Sequence, residues 1–233
     1  MIDVIDWGVR EYADALAAQR ALHARRVRGE IRDTLVFVEH PPVFTIGRQG
    51  GAGNFRVPRT VIESKGIPVV EIERGGDVTY HGPGQLVAYP VFLLPPGRRN
   101  IHAFVRMVEA AVTDTCRALG VPALTVEGLT GVWAGSSAGA PLHAPVWRGE
   151  RKLASIGLAF RQWTSYHGLA LNVNNDLAPF SFIHLCGLKG KQATSLALET
   201  GSPVDIKHVR GIMASRIQSL WEAFRNDTSR QAV

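Results

Sequence analysis

The chain has 233 residues, 45% of them apolar and 20% charged, which is the balance of a globular protein long enough to bury a substantial core. Its net charge of +6 favours an acidic partner, and its longest apolar run, Leu86 to Leu94, is too short and too proline-broken to span a membrane. Charged residues at positions 3, 6, 10 and 11 do not fit a signal peptide, and two cysteines of unlike context do not make a disulfide framework, so a cytoplasmic protein is expected.

In chain order, Tyr12, Ala15 and Leu16 predict an amphipathic helix over about residues 8–27. Two strands follow at 34–38 and 43–46, on either side of His40-Pro-Pro42. An alternating strand at 69–73 runs into a glycine bend, and a strand at 86–94 leaves it. After Asn100, a good helix N-cap, the residues Phe104, Val108, Val112 and Cys116 recur at helical spacing until Gly120 and Pro122 stop the helix. Cys116 on that apolar stripe reads as core. Segments 134–145 read as loop, 152–160 and 166–173 as a hairpin turning at 162–165, and 204–225 as a last helix with Asp205 in its first turn. Helices at both ends of a strand-rich middle predict one domain over residues 1–233, mixed α/β (α+β) with a mainly antiparallel sheet flanked by helices.

Cys186 stands apart. It lies in a loop, after a polar turn and just before a glycine, where a structural thiol is rarely placed, and so it is the candidate nucleophile. Three further segments concentrate polar groups. Residues 74–85 (RGGDVTYHGPGQ) combine four glycines, which let a backbone approach a ligand closely, with Arg74, Thr79, Tyr80, His81 and Gln85. Lys152 opens an apolar strand, where it is either solvated or a desolvated ammonium able to stabilise a thiolate. His167 and Asn172 mark the two ends of the strand that leads to Cys186. Other signatures fail on context. Residues 135–139 match G-x-S-x-G, but Pro141 and Pro145 forbid the helix that this motif requires. No phosphate loop, dinucleotide fingerprint, zinc-ligand spacing or RNA-recognition pattern occurs.

Taken together, these segments resemble the lipoyl(octanoyl) transferases. The resemblance rests on residues 39–47 (EHPPVFTIG), 74–85, 151–157 (RKLASIG), 167–180 (HGLALNVNNDLAPF), the Cys186–Gly187 pair and Ala193 to Leu196. It implies the catalytic fold of the biotin and lipoate protein ligases. It also implies a Cys186/Lys152 acyltransferase that takes octanoyl from acyl carrier protein as a thioester and passes it to a lysine of apo lipoyl domains, in 2-oxoacid dehydrogenases or the glycine cleavage H protein. No cofactor or metal is implied, and neither nucleic acid nor membrane is an expected partner. Arg74, Gly75, Gly76, Asp77, Val78, Thr79, Tyr80 and His81 would line the acyl pocket, with Ser155, Ile156 and Gly157 and with Gly168, Leu169 and Ala170. The chain departs from the family in two places. Leu185 stands where the family usually has proline, and the stretch 134–150 is longer than the family needs. The competing expectation is an ATP-dependent lipoate- or biotin-protein ligase, which needs no cysteine.

Overall fold

A computed structural model describes residues 1–135, 151–185 and 190–227. The first half holds β1 (Asp3–Val9), α1 (Tyr12–Val27), β2 (Thr34–Glu39), β3 (Val43–Ile46), α2 (Arg59–Glu63), β4 (Val69–Glu71), β5 (Val78–His81) and β6 (Gln85–Val91). The second half holds α3 (Ile101–Ala118), β7 (Ala123–Val126), β8 (Leu129–Ala134), β9 (Arg151–Arg161), β10 (Thr164–Asn172), β11 (Gln192–Ala193), α4 (Leu196–Thr200) and α5 (Ile206–Asn226).

The main sheet runs β1-β2-β6-β10-β9-β8-β7 and is antiparallel except for the β1–β2 pair and the short β11, which joins β9 in parallel. A smaller sheet, β4-β3-β5, stands apart from it. The expectation of a mixed fold with a mainly antiparallel sheet and flanking helices holds. Among the described residues no helix is long and apolar enough to cross a membrane.

Strand periodicity divides the main sheet into two faces. Leu35 and Phe37 point into the larger core, where α3 and α5 pack through Phe104, Val108, Val112, Met213, Ile217 and Trp221. Val36 and Val38 point the other way, with Val87, Tyr89 and Ala170, and meet Leu22 of α1. A strand buried on both faces carries the continuous apolar run seen in β2. The small sheet has its own core of Phe44, Ile62, Val78, Tyr80 and Phe180.

The local signals explain the element ends. Asn100 caps α3, its side chain accepting the Ala103 N–H at 2.9 Å. Asp205 lies one step outside the position expected for it, because it is the N-cap of α5 and accepts the Lys207 N–H at 2.9 Å. The β9–β10 hairpin turns on Gln162 and Trp163, both left-handed (φ 50° and 59°), which is the geometry that matches strand twist. The helix expected over 8–27 begins only at Tyr12, because the preceding residues form β1, an edge strand. The expected loop 134–145 lies outside the described residues beyond Gly135.

Candidate active site

The glycine bend 74–77 and the strand after it lie across β9. The Gly75 N–H donates to Leu158 O at 2.8 Å, and the Thr79 hydroxyl donates to Ser155 Oγ at 3.3 Å. Such close contact needs a glycine beneath the bend, since a Cβ on Gly157 would lie 2.7 Å from Gly75 O. Between the two sheets this leaves a cavity of about 580 Å³.

The bend and β5 contribute Arg74, Gly75, Gly76, Asp77, Val78, Thr79 and His81 to its wall. Lys152, Ser155, Ile156 and Gly157 come from β9, and Gly168, Leu169 and Ala170 from β10. Tyr80 is the one residue expected there that does not border the cavity, although Val78, on the same face of β5, does. In an extended strand it points opposite to Thr79 and His81, and its ring packs on Phe44 and Phe180, 5.1 and 5.6 Å away between centroids. Tyr80 therefore belongs to the core of the small sheet.

One side of the cavity is polar and tightly wired. His81 Nδ1 donates to Gln85 Oε1 at 2.8 Å, and the Gln85 amide donates to Asn172 Oδ1 at 2.9 Å. The Asn172 amide donates in turn to Thr194 O at 2.9 Å. This chain leaves His81 Nε2 as an acceptor, 3.5 Å from the Thr45 hydroxyl. Beside it, His40 Nδ1 donates to Arg10 O and Nε2 accepts from the Tyr89 hydroxyl, at 2.8 and 2.7 Å. The Tyr12 ring stacks on His81. Burial pushes the imidazole of His40 down to about 4, and burial with repulsion from His40 pushes His81 down to about 3. Both rings are neutral at neutral pH.

Arg74 brings a permanent cation to this wall. It is buried, and its guanidinium donates to Thr45 O at 2.8 Å and to the Thr45 hydroxyl at 3.0 Å. His167 is held in a left-handed conformation (φ 56°), with its N–H donating to the Gln19 side-chain oxygen at 3.0 Å. Neither of its ring nitrogens has a hydrogen-bond partner among the described residues, and its Nε2 lies 3.8 Å from a Glu73 oxygen. Burial lowers its pKa to about 4, so that contact is not an ion pair at neutral pH.

The other end of the cavity belongs to Lys152. Its side chain is buried, its Nζ donates to Thr130 O at 3.1 Å, and it sits 5.0 Å from the centre of the Trp133 ring. β11 takes the lane beside β9 that β10 leaves, so Lys152 pairs with Trp133 on one side and Ala193 on the other. Leu185 also lines the cavity. Cys186 itself lies outside the described residues. Cys116 is fully buried in α3, and burial pushes its thiol up to about 12, which removes it as a nucleophile at neutral pH.

Several wall residues were not among those expected. Tyr12 carries only the signal of an amphipathic helix, and Tyr89, Leu129 and Thr130 carry no local signal. Gln85 and Asn172 were visible as polar residues in the motifs, though not as the wire that orients His81.

Residues 11–218 match the family model of the lipoyl protein ligase A/B catalytic domain. An octanoyltransferase of Geobacter sulfurreducens is 40% identical over 217 residues, covering 93% of this chain and 83% of the relative. Among solved structures, a bipartite lipoate protein ligase from Thermoplasma acidophilum superposes with a TM-score of 0.66 at 18% identity, covering 98% of this chain and 94% of that one. A biotin protein ligase from Aquifex aeolicus does so with a TM-score of 0.53 at 16% identity, covering 96% and 70%. At such identities the two structures report a shared fold.

Proposed function

Because the chain belongs to the lipoyl protein ligase A/B catalytic-domain family, we propose that it acts as one octanoyltransferase domain in the cytoplasm, with Cys186 and Lys152 as its reactive pair. The observation that carries this reading is that Leu185, covalently next to Cys186, shares a cavity wall with the buried Lys152 side chain. A thiol is only a few per cent ionised at neutral pH, and an ammonium group beside it favours the thiolate.

The reaction has two halves. The Cys186 thiolate attacks the carbonyl carbon of octanoyl-acyl carrier protein. A new thioester forms at Sγ, the old carbon–sulfur bond breaks, and the departing carrier thiolate takes a proton from the Lys152 ammonium. The amine of a lipoyl-domain lysine then attacks the Cys186 thioester. An amide forms, Cys186 leaves as thiolate, and the neutral Lys152 accepts the proton that the amine loses. Protons and charges balance over the cycle, and no nucleotide is consumed. Arg74, Gly75, Gly76, Asp77, Val78, Thr79 and His81 enclose the acyl chain together with Ser155, Ile156, Gly157, Gly168, Leu169 and Ala170.

The test is transfer from octanoyl-carrier protein to an apo lipoyl domain of a 2-oxoacid dehydrogenase or of the glycine cleavage H protein, without ATP. The expected product is one lysine heavier by ~126 Da, formed by the wild type and not by Cys186→Ser. Modification that requires ATP and a free acid, or a Cys186→Ser enzyme with full turnover, would overturn the reading in favour of a ligase.

A further inference from the structure

Glu109 faces the sheet from α3 and is 1% exposed. A carboxylate taken out of water is costly unless its oxygens are bonded. One oxygen, Oε2, meets the guanidinium of Arg106 at 2.7 Å, and that arginine is more than half exposed. The other, Oε1, accepts the N–H of Gly131 at 2.9 Å. The opposite end of that same amide is the carbonyl of Thr130, which accepts from Lys152 Nζ at 3.1 Å. A single planar peptide therefore separates a buried carboxylate from the ammonium at the end of the cavity.

Hydrogen bonds in series polarise one another. A negative charge on the N–H side of the Thr130–Gly131 amide pushes electron density toward the carbonyl oxygen and strengthens its hold on a cation. The local backbone accommodates this arrangement. Gly131 has φ 122°, and a Cβ there would lie 2.6 Å from Ala154 O and 2.7 Å from Lys152 Cε. Only glycine lets the lysine stem pass so close to this peptide.

We propose that Glu109 is a positioning residue for Lys152, acting through the Thr130–Gly131 peptide to aim and hold its ammonium group at the cavity. The inference rests on Lys152 serving the transfer reaction. Glu109 touches no substrate, and its effect falls on the rate of the chemical steps rather than on the docking of the carrier.

Glu109→Gln is the decisive variant, because the amide oxygen still accepts the Gly131 N–H while the charge is lost. With Arg106→Ala and Lys152→Met as companions, kcat and KM for the carrier and Tm are measured in the ATP-free assay. The expected result is a Glu109→Gln enzyme with Tm near wild type, KM changed by less than about twofold and kcat lower by about tenfold, while Arg106→Ala keeps kcat within about twofold. In the wild type, the Gly131 amide proton should resonate well downfield of its random-coil position, a readout that needs no variant to fold. An ordinary Gly131 shift, or wild-type kcat in Glu109→Gln while Lys152→Met is inactive, overturns the inference alone. An equal loss in Arg106→Ala also overturns it, by making the surface ion pair the cause. Full activity in Lys152→Met overturns it together with the reading on which it rests.

Discussion

Three neutral imidazoles crowd the buried polar wall, and their protonation ties stability to pH. The pKa values of His40 and His167 are lowered to about 4 and that of His81 to about 3, mainly by burial. In the unfolded chain each returns to about 6.5. Below that value the unfolded chain binds protons that the folded chain refuses, so stability is fully present above about pH 6.5 and is lost as pH falls toward 4. Each such proton contributes a slope of about 1.4 kcal/mol per pH unit. Urea unfolding between about pH 7 and pH 5 should show a slope of more than one proton, and His40→Gln should remove about one of them. A flat profile over this range would mean that these rings are solvated. Arg74 makes a separate case at the same scale. Arg74→Lys keeps the charge but not the forked bonds to Thr45 O and its hydroxyl. Its transfer rate should fall by about tenfold, with the fold retained by circular dichroism.

At the scale of elements, the site depends on how closely two layers approach. In Gly157→Ala the new methyl would meet Gly75 O at 2.7 Å and Arg74 Cδ at 2.8 Å, so the bend must lift off β9. Overpacking of this kind costs about 1–3 kcal/mol. The expected outcome is a lower urea midpoint and loss of transfer, and a stable, fully active variant would refute this account of the cavity. The same closeness explains what was legible in the sequence. Glycines packed among polar side chains at 74–85 announce a bend where a backbone comes near something, and that bend does border the cavity. Strand alternation and the Asn100 cap were equally readable. For Tyr80 the motif gives no guide, because membership of a dense motif says nothing about which face of a strand a residue takes, and here its ring packs on Phe44 and Phe180. β1 and β7 carry no readable signal because they lie at the sheet edges, where half-exposed residues blur the alternation, and β5 is hidden inside the glycine-rich stretch 74–85. Thr130 acts through its backbone carbonyl and Glu109 acts across 22 residues of sequence, and neither leaves any pattern along the chain.

At the scale of the whole molecule, a net charge of +6 on 233 residues gives long-range attraction for acidic partners. If two acidic proteins visit in turn, KM for the carrier should rise steeply as salt shortens the screening length from about 10 Å at 0.1 M to about 3 Å at 1 M, while kcat changes little. A salt-independent KM would leave the basic surface without a part in the reaction. The broad fold is shared with ligases that superpose at 18% identity or less, so the fold does not choose between transfer and ligation. That choice falls on one sulfur atom. The most direct measurement is mass analysis of the enzyme mixed with octanoyl-carrier protein alone. A gain of ~126 Da on the peptide holding Cys186, absent in Cys186→Ser and much slower to form in Lys152→Met, is the result expected of the acyl-enzyme. An unmodified Cys186 in an enzyme that still turns over, or an adduct on any other residue, would contradict it.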